Sequence, residues 1–376
     1  MNSSILPFCP GTEKLIVKSK DCYQYDADGN EYIDFESGVW CTNIGHCHKL
    51  ISKLIRKQSR KSIHHGYRFR NKHTEQLSAE LQRLVGFEKG ASVFLSSGSE
   101  AVNLAITMSN YLTGRKKVLK IDNSYISAYG HGRISPENHD LVTVKYNDIY
   151  SIHDIDFSSI SAFVMETGGA SVDMVRFPDE QFIKQLSETL IKNHCLIIAE
   201  EVTTGFGRMG KWFGYQYYDV IPDMVVTGKA LGNGFPVSAL TVNSIVAEKF
   251  GQNPFRYAQS HQNDPLGCAI GLEVIKIIEE ADLITKGNAT GRYFREQLER
   301  IKSAHNDKIK DVRARGLMLA LEFAEDFNGE RINNQLFEKG FVIGFKSNTL
   351  RFLPPLTIKI KDIDRMIRRL EELLDL

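Results

Sequence analysis

Hydrophobic residues in the middle of the chain occur in short, wholly apolar runs that are separated by segments of helical periodicity. The predicted buried strands are residues 92–95, 117–121, 141–145, 162–165, 196–199, 224–227 and 239–242. Helices are predicted between several of these runs, notably over residues 179–193. Because strands buried on both faces lack polar alternation, this order predicts an α/β fold with a mainly parallel central sheet covered by helices.

The two ends of the chain have a different pattern. Residues 15–17, 22–25 and 32–35 read as short strands, and Asp26-Ala27-Asp28-Gly29-Asn30 predicts a hairpin turn between the last two. This turn resembles the start of a calcium loop, but Glu31 and Ser37 stand where such a loop needs Gly and Glu. We therefore interpret it as a turn.

The C-terminal part predicts a long helical stretch from about residue 265 to 303 and then a smaller α+β segment. That segment has strands at 317–323, 340–345 and 350–352, followed by a terminal helix from residue 361. We predict a large domain over residues 50–270, and a small domain formed by both chain ends, residues 1–49 and 271–376.

Composition narrows the class of protein. The 376 residues are 42% hydrophobic, which excludes general disorder, and 47 basic against 46 acidic side chains give a net charge of +1. This balance predicts no nucleic-acid or membrane partner, and the sequence has no bilayer-length apolar run and no export signal. Six scattered cysteines without a CxxC motif suit a reducing compartment, so we expect a cytoplasmic protein.

One short stretch, His46-Cys47-His48, has the composition of a metal site. Adjacent residues rarely bind one ion together, so we interpret the stretch as a loop after Gly45 and predict no metal site.

Candidate chemistry lies where the predicted strands end, because ligands of open α/β sheets bind at the carboxyl ends of the strands. Ser96-Ser97-Gly98-Ser99-Glu100 follows the first strand and opens a helix whose free N–H groups suit a phosphate, although such residues are also ordinary helix caps. Glu166 ends another strand and has either a catalytic or a structural role.

Two further strand ends carry charged residues. Glu200 and Glu201 precede a G-x-G-x-x-G pattern, but no ribose-binding acid follows in a βαβ unit, so we reject a dinucleotide site. Lys229 ends an apolar strand, where a lysine either reaches solvent or has its charge removed by a lowered pKa or a covalent bond. A phosphate-binding helix start, an acid and a lysine together meet the requirements of pyridoxal phosphate (PLP).

These residues belong to a pattern that extends over nearly the whole chain, from Tyr32-Ile33-Asp34-Phe35 to Leu350-Arg351-Phe352-Leu353-Pro354-Pro355-Leu356. Its most specific part, residues 197–240, contains the acid, Gly-Phe-Gly-Arg, Pro-Asp, the lysine and Gly-Phe-Pro in order. The sequence resembles the class III PLP-dependent aminotransferases of the ornithine, acetylornithine and ω-amino-acid group. The resemblance implies the PLP-dependent transferase fold type I.

The resemblance also implies a role for individual residues. Lys229 would form the Schiff base and then shuttle a proton, and Glu200 would pair with the ring nitrogen. The residues implied to bind the cofactor are Ser97, Gly98, Ser99, Tyr125, Glu166, Glu200, Thr203, Lys229 and Ser260. The residues implied to bind the substrate are Arg351, Trp40 and Val39. Ser260 matches a residue that reaches the other subunit's phosphate, which implies a homodimer with shared active sites.

The implied activity is ping-pong transamination between an amino donor and a keto acid. The sequence departs from the family pattern, because Glu200 replaces an aspartate, Thr203 a glutamine, and Ser171 the acid that partners the substrate arginine in ornithine-type members. The alternatives that stay open are a racemase, aminomutase or decarboxylase on the same scaffold, and a PLP-binding protein without turnover. A nucleotide-binding oxidoreductase is a more distant alternative.

Overall fold

The computed structural model describes residues 6, 8, 11–168 and 175–376. In chain order the strands are β1 (Ile16–Lys20), β2 (Tyr23–Asp26), β3 (Glu31–Asp34), β4 (Ala91–Leu95), β5 (Lys117–Ile121), β6 (Leu141–Val144), β7 (Ile160–Glu166), β8 (Leu196–Glu200), β9 (Met224–Thr227), β10 (Ser238–Val242), β11 (Ile309–Arg315), β12 (Met318–Phe323), β13 (Phe341–Val342), β14 (Gly344–Lys346) and β15 (Thr349–Phe352). The right-handed α-helices are α1 (Lys49–Ser59), α2 (Lys72–Val85), α3 (Gly98–Thr113), α4 (Glu180–Lys192), α5 (Ser244–Gln252), α6 (Pro265–Glu280), α7 (Leu283–Ala304), α8 (Gly329–Glu338) and α9 (Ile360–Leu374).

A seven-stranded sheet forms the centre of the molecule in the order β4-β10-β9-β8-β7-β5-β6. The strands β9, β8, β7, β5 and β6 pair in parallel, whereas β10 is antiparallel to both of its neighbours. The mainly parallel α/β sheet predicted from the apolar runs is thus confirmed. Because β7, β8 and β9 are parallel neighbours, their carboxyl ends lie side by side at one edge of the sheet.

The strand bounds follow the apolar runs closely. The predicted strands at 117–121 and 224–227 match β5 and β9, and β7 extends its predicted run by residues at both ends. The long helical stretch predicted after residue 265 is confirmed, and it is divided into α6 and α7. The chain turns at Asp282, a non-glycine residue with φ 49° that precedes Leu283.

Two smaller sheets flank the central one. The predicted hairpin turn joins β2 and β3, and the carboxylate of Asp26 accepts a hydrogen bond from the backbone N–H of Asn30 at 2.8 Å. On its other side, β3 pairs in parallel with β13, so strands from both ends of the chain share one sheet. The remaining sheet has the order β11-β12-β15-β14. The division into domains at residues 50 and 270 stays a prediction.

Helix α3 positions its N-terminus at the end of β4 through a complete capping box. Ser97 accepts a hydrogen bond from the N–H of Glu100, and the Glu100 carboxylate accepts from the N–H of Ser97 at 2.8 Å. This reciprocal pair satisfies two of the free helix donors and fixes where the helix begins.

No helix of the described ranges is long and apolar enough to cross a bilayer.

Candidate active site

Three adjacent strand ends bring the predicted catalytic residues together. Glu166 and Glu200 are register partners at the ends of β7 and β8. Lys229 follows β9 after Thr227 and Gly228, and its Nζ donates a hydrogen bond of 2.8 Å to Thr203 Oγ1. The parallel pairing of the three strands therefore gathers two acids and one lysine at a single edge of the sheet.

Burial at this edge suppresses the charges of the acid and the lysine. Glu200 is only 5% exposed, and this burial, with the nearby negative charge of Glu166, raises its pKa to about 8. Burial lowers the pKa of Lys229, although the charge of Glu200 opposes the shift. A lysine with a lowered pKa has a larger share of free amine, which is the form that attacks a carbonyl.

The two consecutive acids after β8 have different surroundings. The Glu200 carboxylate accepts a local hydrogen bond from the N–H of Val202 at 3.1 Å. The Glu201 carboxylate accepts bonds of 2.7 Å from the N–H groups of Gly214 and Tyr215 and one of 2.6 Å from Thr204 Oγ1. Glu201 thus holds the 3₁₀ turn Gly214–Tyr217 in place, and Glu200 is the acid whose charge acts on Lys229.

Glycines allow the N-terminus of α3 to approach this edge. A Cβ on Gly98 would lie 2.8 Å from both methyl groups of Val202, and a Cβ on Gly228 would lie 3.6 Å from the backbone N and Cα of Gly98. Since a larger residue would clash with Val202, Gly98 is needed to bring the helix start beside the residue that precedes Lys229. The free N–H groups of α3 are thereby placed next to the lysine.

The serines at this helix start are already held by other groups. Ser97 Oγ caps the helix, and its carbonyl oxygen accepts a bond of 2.7 Å from Ser238 Oγ. Ser99 Oγ accepts a bond of 3.0 Å from the N–H of Ala128. Both hydroxyls nevertheless lie at a helix N-terminus, where an anion is favoured by the backbone donors.

An unusual turn presents the predicted substrate-binding tryptophan. Four consecutive residues, Ser37–Trp40, have φ values of 49°, 57°, 58° and 68°, which form one left-handed helical turn. Left-handed conformation costs about 1–2 kcal/mol for each non-glycine residue. Asp34 stabilises the entry to the turn, because its carboxylate accepts bonds from the N–H groups of Glu36 at 2.8 Å and Gly38 at 2.7 Å.

The turn places Trp40 near Lys229 and Arg351. Lys229 Nζ lies 4.3 Å from the centroid of the indole ring, and the Arg351 guanidinium carbon lies 5.4 Å from it. Arg351 is 8% exposed at the end of β15 and has Glu36 as a neighbour, with Nη2 and Oε1 3.8 Å apart. The structure therefore brings Lys229, Trp40 and Arg351 together, and adds Glu36, which the sequence analysis did not single out.

Glu36 occupies a space that a glycine leaves open. Gly344 pairs with Arg351 across β14 and β15, and a Cβ at position 344 would lie 1.9 Å from Glu36 Oε1. Burial raises the pKa of Glu36, and the charge of Arg351 opposes that shift. Ser171, at the position of the family acid that partners this arginine, lies outside the described residues.

Three other predicted residues differ in their exposure. Tyr125 is half-buried in the segment that follows β5, at the same end of the sheet. Val39 is 59% exposed, which argues against simple core packing. Ser260 is exposed on the segment before α6.

Arg208 of the Gly-Phe-Gly-Arg motif is a structural cation that the sequence analysis left without a role. It is fully buried, and its guanidinium donates to the carbonyl oxygens of Leu317 at 3.0 Å and of Pro354, to Asn43 Oδ1 at 2.6 Å and to Ser37 Oγ at 3.3 Å. Burial lowers the pKa of Arg208 to about 9. Arg208 thus joins the left-handed turn to the segment that follows β15.

His46-Cys47-His48 does not gather around one point. His46 Nε2 lies 2.8 Å from Asp34 Oδ2, and Cys47 is exposed. His48 is the residue before α1. The imidazole of His46 therefore supports Asp34 beneath the left-handed turn.

Comparison with known proteins shows the family of this chain. The family model described as "Aminotransferase class-III" matches residues 10–135 and 128–374. The chain belongs to the class III aminotransferases. It is 32% identical to an acetylornithine aminotransferase of Clostridium acetobutylicum, with 93% of each chain covered, and 33% identical to an ornithine aminotransferase of Oceanobacillus iheyensis, with 96% of this chain and 93% of the relative covered.

A solved structure shows the same fold at lower identity. The taurine:2-oxoglutarate aminotransferase of Bifidobacterium kashiwanohense, in complex with PLP and glutamate, has a TM-score of 0.88 and 21% identity, and the match covers 99% of this chain and 95% of that one. The protein is accordingly a PLP-dependent aminotransferase of fold type I, as the resemblance implied.

The described residues fit PLP. The cofactor needs an amine for its aldehyde, an acid for its ring nitrogen and hydrogen-bond donors for its phosphate. Lys229, Glu200 and the N-terminus of α3 supply these groups within one region of the structure. The raised pKa of Glu200 supports the assignment, because a protonated ring nitrogen would provide the positive charge that stabilises its ionised form.

The buried acid predicts how the stability of the apoprotein depends on pH. The folded pKa of Glu200, about 8, lies above its ordinary value of 4.5, so the folded state holds a proton that the unfolded state releases between these values. The corresponding stability is present below pH 4.5 and is lost as the pH rises through about 8. We expect the melting temperature of Glu200→Gln apoprotein to fall less steeply over this range than that of the wild type.

Thermal unfolding of apoprotein at several pH values measures this difference. Glu188→Gln, which changes an exposed glutamate on α4, is the control and should follow the wild-type pH dependence. Equal slopes for Glu200→Gln and wild type would show that Glu200 does not titrate with a raised pKa.

Proposed function

We propose that this aminotransferase moves an amino group between an amino donor and a keto acid in two half-reactions, with Lys229 as the residue that holds PLP and transfers the proton. The observation that carries the proposal is the arrangement of Lys229, whose amine has a lowered pKa, beside the buried acid Glu200 at adjoining strand ends. When bound, PLP supplies an electron sink for the carbanion that forms at the substrate α-carbon.

Each residue then has a task that its surroundings support. Lys229 would hold the cofactor and move the proton between the substrate α-carbon and the C4′ position, while Thr203 Oγ1 orients its Nζ. Glu200 would accept a hydrogen bond from the ring nitrogen and keep that nitrogen protonated. The N-terminus of α3, with Ser97, Gly98 and Ser99, binds the phosphate through backbone N–H groups.

The remaining predicted residues complete the site. Tyr125 would stack on the cofactor ring, and Glu166 would support the site indirectly from the strand next to that of Glu200. Trp40 and Val39 line the substrate pocket, where Arg351 binds a substrate carboxylate through its guanidinium. Ser260 reaches the phosphate of the other subunit in a homodimer, a role that its exposure permits.

The proposed homodimer predicts that sedimentation equilibrium gives twice the mass of the chain.

Separate half-reactions test this function. With stoichiometric holoenzyme and no keto acid, an amino donor should release one equivalent of keto product per site, and the visible absorption of the aldehyde form should disappear. Adding a keto acid should restore the absorption. A racemase would interconvert enantiomers of the donor without accumulating keto product, and a protein that only binds PLP would give no product at all.

The pair of Glu36 and Arg351 predicts a specificity effect. Glu36 is a carboxylate of the protein itself that lies 3.8 Å from the arginine proposed to bind substrate, so it competes with the substrate for that cation. We expect Glu36→Gln to lower KM about fivefold for a carboxylate-bearing donor, equivalent to about 1 kcal/mol, with little change in kcat.

An amine of similar size without a carboxylate is the matched substrate, and its KM should not change. Glu31→Gln, which alters an exposed glutamate near Arg365, is the control variant. If Glu36→Gln lowers KM equally for both substrates, Glu36 does not compete at Arg351.

A further inference from the structure

Two histidines and an aspartate form a cluster in front of α6, apart from the residues assigned to PLP. Asp264 Oδ1 lies 2.6 Å from His64 Nδ1, and Asp264 Oδ2 lies 2.6 Å from His261 Nδ1. The imidazole rings are tilted by 52° with centroids 4.9 Å apart, and one ligand atom from each of the three residues lies within 4.8 Å of the others. We propose that His64, His261 and Asp264 bind a divalent transition-metal ion such as Zn²⁺.

The chemistry of the three groups supports this assignment. Two imidazole nitrogens and one carboxylate are a frequent ligand set for Zn²⁺, with bonds of about 2.0–2.2 Å, and water can complete a tetrahedral site. Both histidines present Nδ1 to the same carboxylate, so one cation between the three groups would replace the two hydrogen bonds. Shifts of about 1 Å in the two side chains suffice, since tetrahedral ligands lie about 3.3–3.5 Å apart at these bond lengths. In the single chain, the side chains of His64 and His261 are 41% and 62% exposed.

The carboxylate is held in position before any ion binds. Asp264 is the N-cap residue of α6, yet its side chain makes no capping bond and is directed to the histidines instead. The preceding residue, Asn263, exchanges bonds with Phe94 of β4, through its backbone N–H at 2.9 Å and its Oδ1 at 3.0 Å. This attachment to the central sheet fixes the backbone at Asp264, which reduces the ordering cost of binding.

The site adjoins the cofactor region. Gln259, two residues before His261, donates to Glu100 Oε1 at 3.0 Å and to Ser96 Oγ at 3.3 Å, both near the start of α3. A bound ion would therefore help to hold residues 259–264 against the N-terminus of α3. Ser260 lies in this segment, so in the proposed homodimer the site stands beside the subunit interface.

Equilibrium dialysis of untagged holoenzyme against micromolar Zn²⁺, with metal measured by mass spectrometry, tests the proposal without an activity readout. We expect one Zn²⁺ per chain, and an affinity at least tenfold lower for His64→Ala, His261→Ala and Asp264→Asn. Asparagine is also a good N-cap, so α6 should be preserved in the last variant. Unchanged visible absorption of the bound cofactor verifies that each variant is folded.

Two control variants separate this site from other metal-binding groups. Cys47→Ser removes the exposed thiol of the His46-Cys47-His48 stretch, and His153→Ala removes an exposed histidine elsewhere. Both should bind Zn²⁺ like the wild type. The proposal is overturned if wild-type protein binds less than one equivalent in this range, if the three variants bind as tightly as wild type, or if Cys47→Ser abolishes binding.

Discussion

Replacing Lys229 with alanine is expected to lower turnover by at least about 10⁴-fold and to abolish the visible absorption of the covalently bound cofactor. The methyl group can neither hold the PLP aldehyde nor transfer the proton, and Thr203 loses its bond of 2.8 Å from Nζ. Stopped-flow half-reactions and absorption spectra of the PLP-loaded variant measure both effects. Because Lys229 has a φ of 40°, alanine at this position inherits the same left-handed backbone, so no new strain arises.

The chain offers a matched control in a second buried lysine. Lys120, in β5, is 5% exposed, burial lowers its pKa, and its Nζ donates to the carbonyl oxygen of Ile121 at 3.1 Å. Lys120→Met should keep the visible absorption of the holoenzyme. Appreciable turnover by Lys229→Ala, or loss of the absorption in Lys120→Met alone, would reject Lys229 as the residue that holds PLP.

Replacing Arg208 with methionine should reduce the free energy of unfolding by about 3–5 kcal/mol. The substitution leaves buried acceptors without their donor, namely the carbonyl oxygens of Leu317 and Pro354 and the Oδ1 of Asn43. It also removes the bond to Ser37 in the left-handed turn. Urea denaturation of the holoenzyme measures the loss.

Two further variants make this result interpretable. Arg292→Met, which changes an exposed arginine on α7, should alter stability by no more than about 0.5 kcal/mol. Arg208→Lys keeps the charge but loses the fork of donors, and it should fall between wild type and Arg208→Met. If Arg208→Met does not fold, the free energy of unfolding of Arg208→Lys still measures the contribution of the guanidinium. The assigned role fails if Arg208→Met is as stable as Arg292→Met.

The relation between Lys229 and Glu200 could be predicted because it depends on local patterns and on one general property of sheets. Apolar runs identified β8 and β9 almost to the residue, and parallel neighbours end at the same edge. A lysine and an acid at the ends of such strands must then lie near each other. The roles of these two residues came from the resemblance, and their place in the reaction stays a prediction.

Other parts of the site had no signal in the sequence. Glu36 and Arg351 are far apart along the chain and meet only because β14 and β15 pair beside the left-handed turn, with Gly344 leaving room. Ser37, Val39 and Trp40 are residue types that do not favour positive φ, so their local preferences do not predict the left-handed turn. A local hydrogen bond from Gly38 to Asp34 and a tertiary contact with Arg208 stabilise it.

The sequence by itself determined the central α/β sheet, the family and the strand ends at which Lys229 and Glu200 stand, because apolar runs and motif spacing are local properties of the chain. Only the tertiary structure decided that the N–H groups of Gly214 and Tyr215 hold Glu201, that Glu36 is a neighbour of Arg351, and that Arg208 joins the left-handed turn to the segment after β15. Hydrogen bonds and ion pairs between distant segments depend on how the elements pack, which no local pattern encodes.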